Sequence, residues 1–165
     1  MTTHTVLAIA PPVLAGLRTL DDAGRPCAPY EDREGGAPLR CCLRRSVPGD
    51  RIALVAYAPL RRWAAETGAD PGAYDEQGPV FIHAADCGGP DPDSGLPFAH
   101  PGALRTARRY DAAGHILGGR VLDLAGDPEE VVERALTEAF EDPRTALVHV
   151  RAAEFGCYLF EVRRA

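Results

Sequence analysis

The sequence predicts an α+β fold: a mostly antiparallel sheet with two main helices, in a single domain spanning residues 1–165. Three observations carry this expectation. Short alternating apolar runs are separated by Gly/Pro/Asp turns, two segments have helical spacing behind a proline, and the length suits one core.

Residues 6–9 read as a short strand and 12–17 as a helical turn or two, whereas the Gly/Pro/Asp-rich stretch 21–38 reads as loop. Residues 39–43 and 51–57 are β-like, and Val47-Pro48-Gly49-Asp50 supplies a tight turn between them, so a β-hairpin is expected. Pro59 at a first helical position, Leu60, Trp63, Ala64 and Thr67 at helical spacing, and Gly68 as a stop give a helix over 59–67. Trp63 is its core anchor.

Residues 79–84 are the next strand, followed by a Gly/Pro/Asp segment over 86–102 whose length is typical of functional loops. Residues 104–110 and 115–122 form a second hairpin around Asp111-Ala112-Ala113-Gly114. Asp127 caps a helix that starts at Pro128, with Glu130 placed for a capping box and Val131, Val132, Ala135, Leu136, Ala139 and Phe140 as its apolar side. Alternating strands over 145–151 and 157–162 flank residues 152–156.

Composition narrows the function. The apolar fraction of 45% and charged fraction of 25% are those of an ordinary globular chain, which excludes disorder. A net charge of −6, with the 18 basic residues all arginine and thinly spread, lacks the basic footprint that nucleic acid requires. The first ten residues have no positive leader region, and Pro11-Pro12 cuts the apolar run short of a membrane span, so a cytoplasmic location is expected. Cys27, Cys41, Cys42, Cys87 and Cys157 form an odd set, consistent with reduced thiols.

Strand alternation places Arg40, Cys42 and Arg44 on one side, Phe81 with His83, and His149 with Arg151. Because Val80/Ile82 and Val148/Val150 face the core, the polar residues are expected on the opposite face of one sheet, beneath the 86–102 loop. The bland alternative is a solvated face. A shared cleft would suit a small anion, since arginine forks fix a carboxylate or phosphate and histidine moves a proton. Neither a Gly-x-Ser-x-Gly, a phosphate loop nor a Gly-x-Gly-x-x-Gly is present, so common hydrolase and nucleotide classes lack their apparatus.

His83 and Cys87 lie four apart, and His149 and Cys157 flank a tight connection; these are four donors that zinc accepts, at a spacing that is not diagnostic. Neighbouring residues on a strand point to opposite faces, so Cys41 and Cys42 read as independent thiols. Cys87, beside His83, ranks first as a nucleophile, and Cys157 reads as a small buried hydrophobe.

The blocks Pro38-Leu39-Arg40-Cys41-Cys42-Leu43 with Pro48-Gly49-Asp50, Gly78-Pro79-Val80-Phe81-Ile82-His83, Arg108-Arg109-Tyr110-Asp111-Ala112-Ala113-Gly114, and His149-Val150-Arg151 with Gly156-Cys157-Tyr158 carry a resemblance. From about Pro38 onward the chain resembles the domain-of-unknown-function family numbered 1203. The resemblance implies a bacterial soluble domain and supplies no catalytic residues. Where members often read Pro-Cys-Arg, this sequence has Leu39 in the cysteine place and keeps Arg40. Arg40, Arg108, Tyr110, His149, Arg151 and Cys157 all fall in matching blocks.

The leading expectation is an enzyme acting on a small anionic metabolite. Arg40, Arg108, Tyr110 and Arg151 would bind substrate, and His83, His149 and Cys87 would carry the chemistry, with no cofactor, nucleic acid or membrane partner. A non-catalytic ligand-binding or interaction domain is the second expectation, and a zinc-dependent protein using some of His83, Cys87, His149 and Cys157 is the third.

Overall fold

The computed structural model describes residues 3–165. Its strands are β1 (His4–Leu7), β2 (Tyr30–Glu31), β3 (Pro38–Leu39), β4 (Arg44–Arg45), β5 (Arg51–Tyr57), β6 (Gly78–His83), β7 (Leu104–Tyr110), β8 (Ile116–Asp123), β9 (Leu147–Ala152) and β10 (Tyr158–Arg164). The helices are α1 (Pro11–Leu17), α2 (Pro59–Thr67) and α3 (Pro128–Glu141), with a single 3-10 turn at Gly72–Tyr74. The α+β class holds, with two sheets where one was expected.

The first sheet runs β1-β10-β9-β7-β8, with every pairing antiparallel. The second runs β2-β5-β6-β3-β4 and is antiparallel except where β3 meets β6. One face of the first sheet is apolar because alternation brings Ala107, Val148, Val150, Phe160 and Val162 to it, and α3 covers that face with Val132, Leu136 and Phe140. Two backbone amides, of Glu129 and Glu130, donate to Asp127 Oδ1 at 3.1 and 3.2 Å, so the capping carboxylate starts α3 as its sequence predicts. The other face of the sheet meets α2, where Leu60 and Trp63 pack on Tyr110 and Leu147. Helix α1 contributes Leu14 and Leu17 to a separate core with Ile52, Val55, Val80 and Ile82 of the second sheet.

The expected hairpin between 39–43 and 51–57 does not form. Only Pro38 and Leu39 are extended; residues 40–43 make a turn in which the Leu43 amide donates to the Leu39 carbonyl at 2.9 Å and Leu43 takes φ 57°. β5 pairs with β6 instead. The error has a physical source: Leu39 to Leu43 are all buried, and a run of buried residues arises as readily from a turn pressed between two cores as from a strand.

The loop over residues 86–102 carries no helix or strand and is pinned by Phe98, which joins the α3 core and whose carbonyl accepts from Arg105 Nη2 at 2.9 Å. No helix among the described residues is long and apolar enough to cross a membrane.

Leu136 is fully buried between α3 and the first sheet, so Leu136→Ala should cost about 2–5 kcal/mol in urea unfolding. Asp127→Ala, which removes only the cap, should cost about 1 kcal/mol. Equal losses at the two positions would contradict this account of the core.

Candidate metal centre and a charged sheet face

The turn at residues 40–43 puts two adjacent thiols against the end of β6. Because these residues are not a strand, Cys41 and Cys42 do not diverge: their Sγ atoms are 3.9 Å apart, and they lie 3.4 and 3.7 Å from His83 Nδ1. Cys87, four residues after His83, brings a fourth donor from the loop, and all four ligand atoms lie within 4.8 Å of one another. Cys41, Cys42 and His83 are buried, whereas Cys87 is half-buried.

The second nitrogen of His83 is also engaged. Nε2 lies 3.4 Å from Asp50 Oδ2 and 3.3 Å from Arg44 Nη2, and Arg44 Nη1 is 3.5 Å from the same carboxylate oxygen. A proton on Nε2 satisfies Asp50 and leaves the Nδ1 lone pair facing the thiols, the tautomer a metal ligand needs. The backbone N–H of Val47, with His83 and Arg44, holds the Asp50 carboxyl below its usual range. The two thiols share a proton unequally. A hydrogen bond from Cys41, with the Arg44 backbone N–H and the neighbouring His83 and Arg44, pulls the Cys42 thiol down, while that bond and burial push Cys41 up. The backbone N–H of His83 donates to Cys41 Sγ at 3.2 Å.

These distances fit a metal. A tetrahedral ion with bonds of about 2.3 Å to sulfur and about 2.0 Å to nitrogen has S–S edges of about 3.8 Å and S–N edges of about 3.5 Å. The 3.9, 3.4 and 3.7 Å separations match those edges, and the donors are soft.

A second constellation lies on the first sheet. Register places Arg108 and Glu161 each opposite His149, so Arg108, Tyr110, His149, Arg151 and Glu161 share one face, as alternation predicted for His149 and Arg151. It is not solvated. His149 has no exposed surface, its ring lies against Tyr110 and Tyr158 at 4.8 and 5.1 Å, and Nε2 contacts Glu161 Oε2 at 3.0 Å. Glu161 Oε1 accepts from Arg163 Nε at 2.6 Å, and Arg163 in turn pairs with Glu66 at 2.7 Å. Burial lowers the pKa of His149 against the opposing pull of Glu161. Burial works to raise Glu161, but the hydrogen bond from His149 and the charge of Arg163 outweigh it. A neutral imidazole donating from Nε2 to a carboxylate fits both directions, and it leaves Nδ1 bare, as observed.

The expected anion clamp is occupied by the chain itself. Glu76 Oε1 lies 2.7 Å from Arg108 Nη1 and 3.2 Å from Arg151 Nη1, and Tyr110 Oη is 3.4 Å from that same Arg108 nitrogen. Arg40 is not with them: its buried guanidinium donates to the carbonyls of Tyr158 and Pro38. His83 and His149 sit in different sheets, which corrects the expectation of a single polar face under the loop. Two of the four expected zinc donors, His83 and Cys87, come together, joined by Cys41 and Cys42 in place of His149 and Cys157. Cys157 is half-buried, with Sγ 3.8 Å from the Phe155 carbonyl, and is not the core hydrophobe expected. Cys41 and Cys42 were missed because the turn that aims them depends on a left-handed Leu43, for which a leucine gives no signal.

A buried neutral His149 makes stability pH-dependent. Its folded pKa lies below the unfolded value of about 6.5, so the unfolded chain binds the extra proton; stability is retained above that pH and falls progressively below it. Charged groups facing the imidazole are Glu161, Arg108 and Arg151. In His149→Gln the slope of unfolding free energy between about pH 7 and about pH 5 should flatten relative to wild type. An unchanged slope would show that His149 binds its proton equally in the folded and unfolded chain, and a steeper one that it is protonated when folded.

Searches of curated proteins and of solved structures each returned no match. A comparison with protein families matches residues 36–164, a span that contains the metal-type cluster and the charged sheet face, to the family described as a protein of unknown function, DUF1203. With nearly the whole chain matched, the protein belongs to the DUF1203 family.

Proposed function

We propose that this chain is a metal-binding domain that holds one thiophilic divalent ion, zinc by its donor set, on Cys41, Cys42, His83 and Cys87. The observation that carries the reading is the agreement of three independent donor separations, 3.4, 3.7 and 3.9 Å, with tetrahedral edges. The Asp50–His83 contact on the far side of the imidazole adds to it, because metal-bound histidines characteristically donate their second N–H to a carboxylate. A bound ion would join the 40–43 turn, the end of β6 and the start of the 86–102 loop. Three thiolates and a neutral imidazole on a divalent ion leave one net negative charge, which Arg44 flanks.

Elemental analysis with native mass spectrometry should find one zinc per chain, lost in Cys42→Ala and His83→Ala. Asp50→Asn should keep the site but weaken zinc about 10–100-fold in chelator competition. A wild-type chain that takes up no zinc at neutral pH would end the reading.

A second reading, small-anion binding on the first sheet, rests on Glu76. Two arginines from neighbouring strands converge on one carboxylate oxygen, with Tyr110 Oη beside the Arg108 guanidinium, which is how a free carboxylate or phosphate is held. Glu76 is half-exposed on a connecting segment and can be displaced. Glu76→Gln should therefore bind inorganic phosphate about tenfold more tightly than wild type by calorimetry. Binding by neither protein would leave the three residues a structural ion pair.

A further inference from the structure

The four donors of the cluster are unequal. Cys41, Cys42 and His83 are buried, at tetrahedral separations, and fixed by backbone: the Arg40 amide donates to the Phe81 carbonyl, and the His83 amide to Cys41 Sγ. Cys87 is half-buried, comes from the irregular loop, and lies within 4.8 Å of the others, so it must move in by up to about 1 Å to complete a tetrahedron. Two cysteines and a histidine with a replaceable fourth ligand is a donor set of catalytic zinc, whereas a closed set of four is structural.

The replaceable side faces open space. Cys41 and Cys87 form part of the wall of a cleft of about 750 Å3, within the range of small-molecule sites, whose other walls include Leu7, Ile9 and Leu14. Arg18 also lines it. Its guanidinium donates to the carbonyls of His83 and Ala85 at 3.1 and 2.9 Å and, among the described residues, has no carboxylate partner. Asp86 lines the cleft as well but does not pair with Arg18, so the cleft offers a soft metal position, mostly apolar walls and one cation without a bonded counter-ion.

We propose that Cys87 is an exchangeable ligand and that the metal, at the position Cys87 leaves, binds a small thiol whose carboxylate pairs with Arg18. This rests on the metal-binding reading above. In the exchange the incoming thiol loses its S–H proton, its sulfur bonds the metal, the metal–Cys87 bond breaks, and the Cys87 thiolate takes up a proton. No oxidant is needed. Thiolate replaces thiolate, so the charge at the metal is unchanged, and selectivity comes from the carboxylate on Arg18.

The test is a cobalt(II) titration followed by absorption spectroscopy. Wild type should give a tetrahedral spectrum with thiolate charge transfer; its absence would remove the metal reading itself, and with it this proposal. With wild type binding, Cys87→Ala should lose no more than about tenfold in cobalt affinity, against about a hundredfold or more for Cys42→Ala. Adding 3-mercaptopropionate to cobalt-loaded Cys87→Ala should increase the thiolate charge-transfer band, at about tenfold lower concentration than 2-mercaptoethanol requires, and Arg18→Ala should erase that preference. Cys87→Ser repeats the test with a side chain of the same shape, should the alanine variant fold poorly. A Cys87 variant as damaged in cobalt binding as Cys42→Ala, or a spectrum that does not respond to either thiol, would overturn the proposal and leave a closed structural site.

Discussion

The arrangement around the thiols depends on Arg40, a buried cation with no carboxylate partner among the described residues. Its amide donates to Phe81 in β6, its carbonyl accepts from Ile9 ahead of α1, and its Nε donates to Tyr158 in β10 at 2.8 Å. One residue thus ties both sheets and the β1–α1 connection to the start of the 40–43 turn. Burial pulls the guanidinium down to about 10, still charged at neutral pH, so its N–H groups must find acceptors, and the Pro38 and Tyr158 carbonyls provide them. Arg40 thus anchors the start of the turn whose left-handed Leu43 brings Cys41 and Cys42 against His83.

The two constellations follow from the same division of the chain. The first sheet turns its apolar face to α3 and leaves a polar face, on which charges alternate from Glu76 through Arg108 and Arg151, past His149, to Glu161, Arg163 and Glu66. Charges on a covered face persist only when paired and hydrogen-bonded, which accounts for how few members lack a partner. The second sheet carries the thiols, where softness rather than charge decides what binds. Residues 7–10 line both the cleft beside Cys41 and Cys87 and a smaller one beside Glu66, Glu161 and Arg163.

The sequence was most legible where local chemistry decides structure. Asp127-Pro128 starts α3, Pro59 and Gly68 bound α2, and Asp111 shapes the β7–β8 turn by accepting from Ala113 and His115. Alternation correctly placed His149 with Arg151 and the four valine and isoleucine core positions of β6 and β9. It failed at residues 40–43, where a left-handed leucine and a non-local arginine network replace a strand. The Cys/His site shared that fate: His83 and Cys87 could be paired from their spacing, but their partners depend on the misread turn. Glu76 was invisible because its two arginines are brought together only by sheet register.

Zinc K-edge X-ray absorption of the zinc-loaded wild-type protein tests the central claim most directly, since it reads the donor atoms themselves. The account predicts a four-coordinate shell of three sulfurs at about 2.3 Å and one nitrogen at about 2.0 Å. A shell of nitrogen and oxygen without sulfur would place the metal elsewhere and contradict the assignment to Cys41, Cys42, His83 and Cys87.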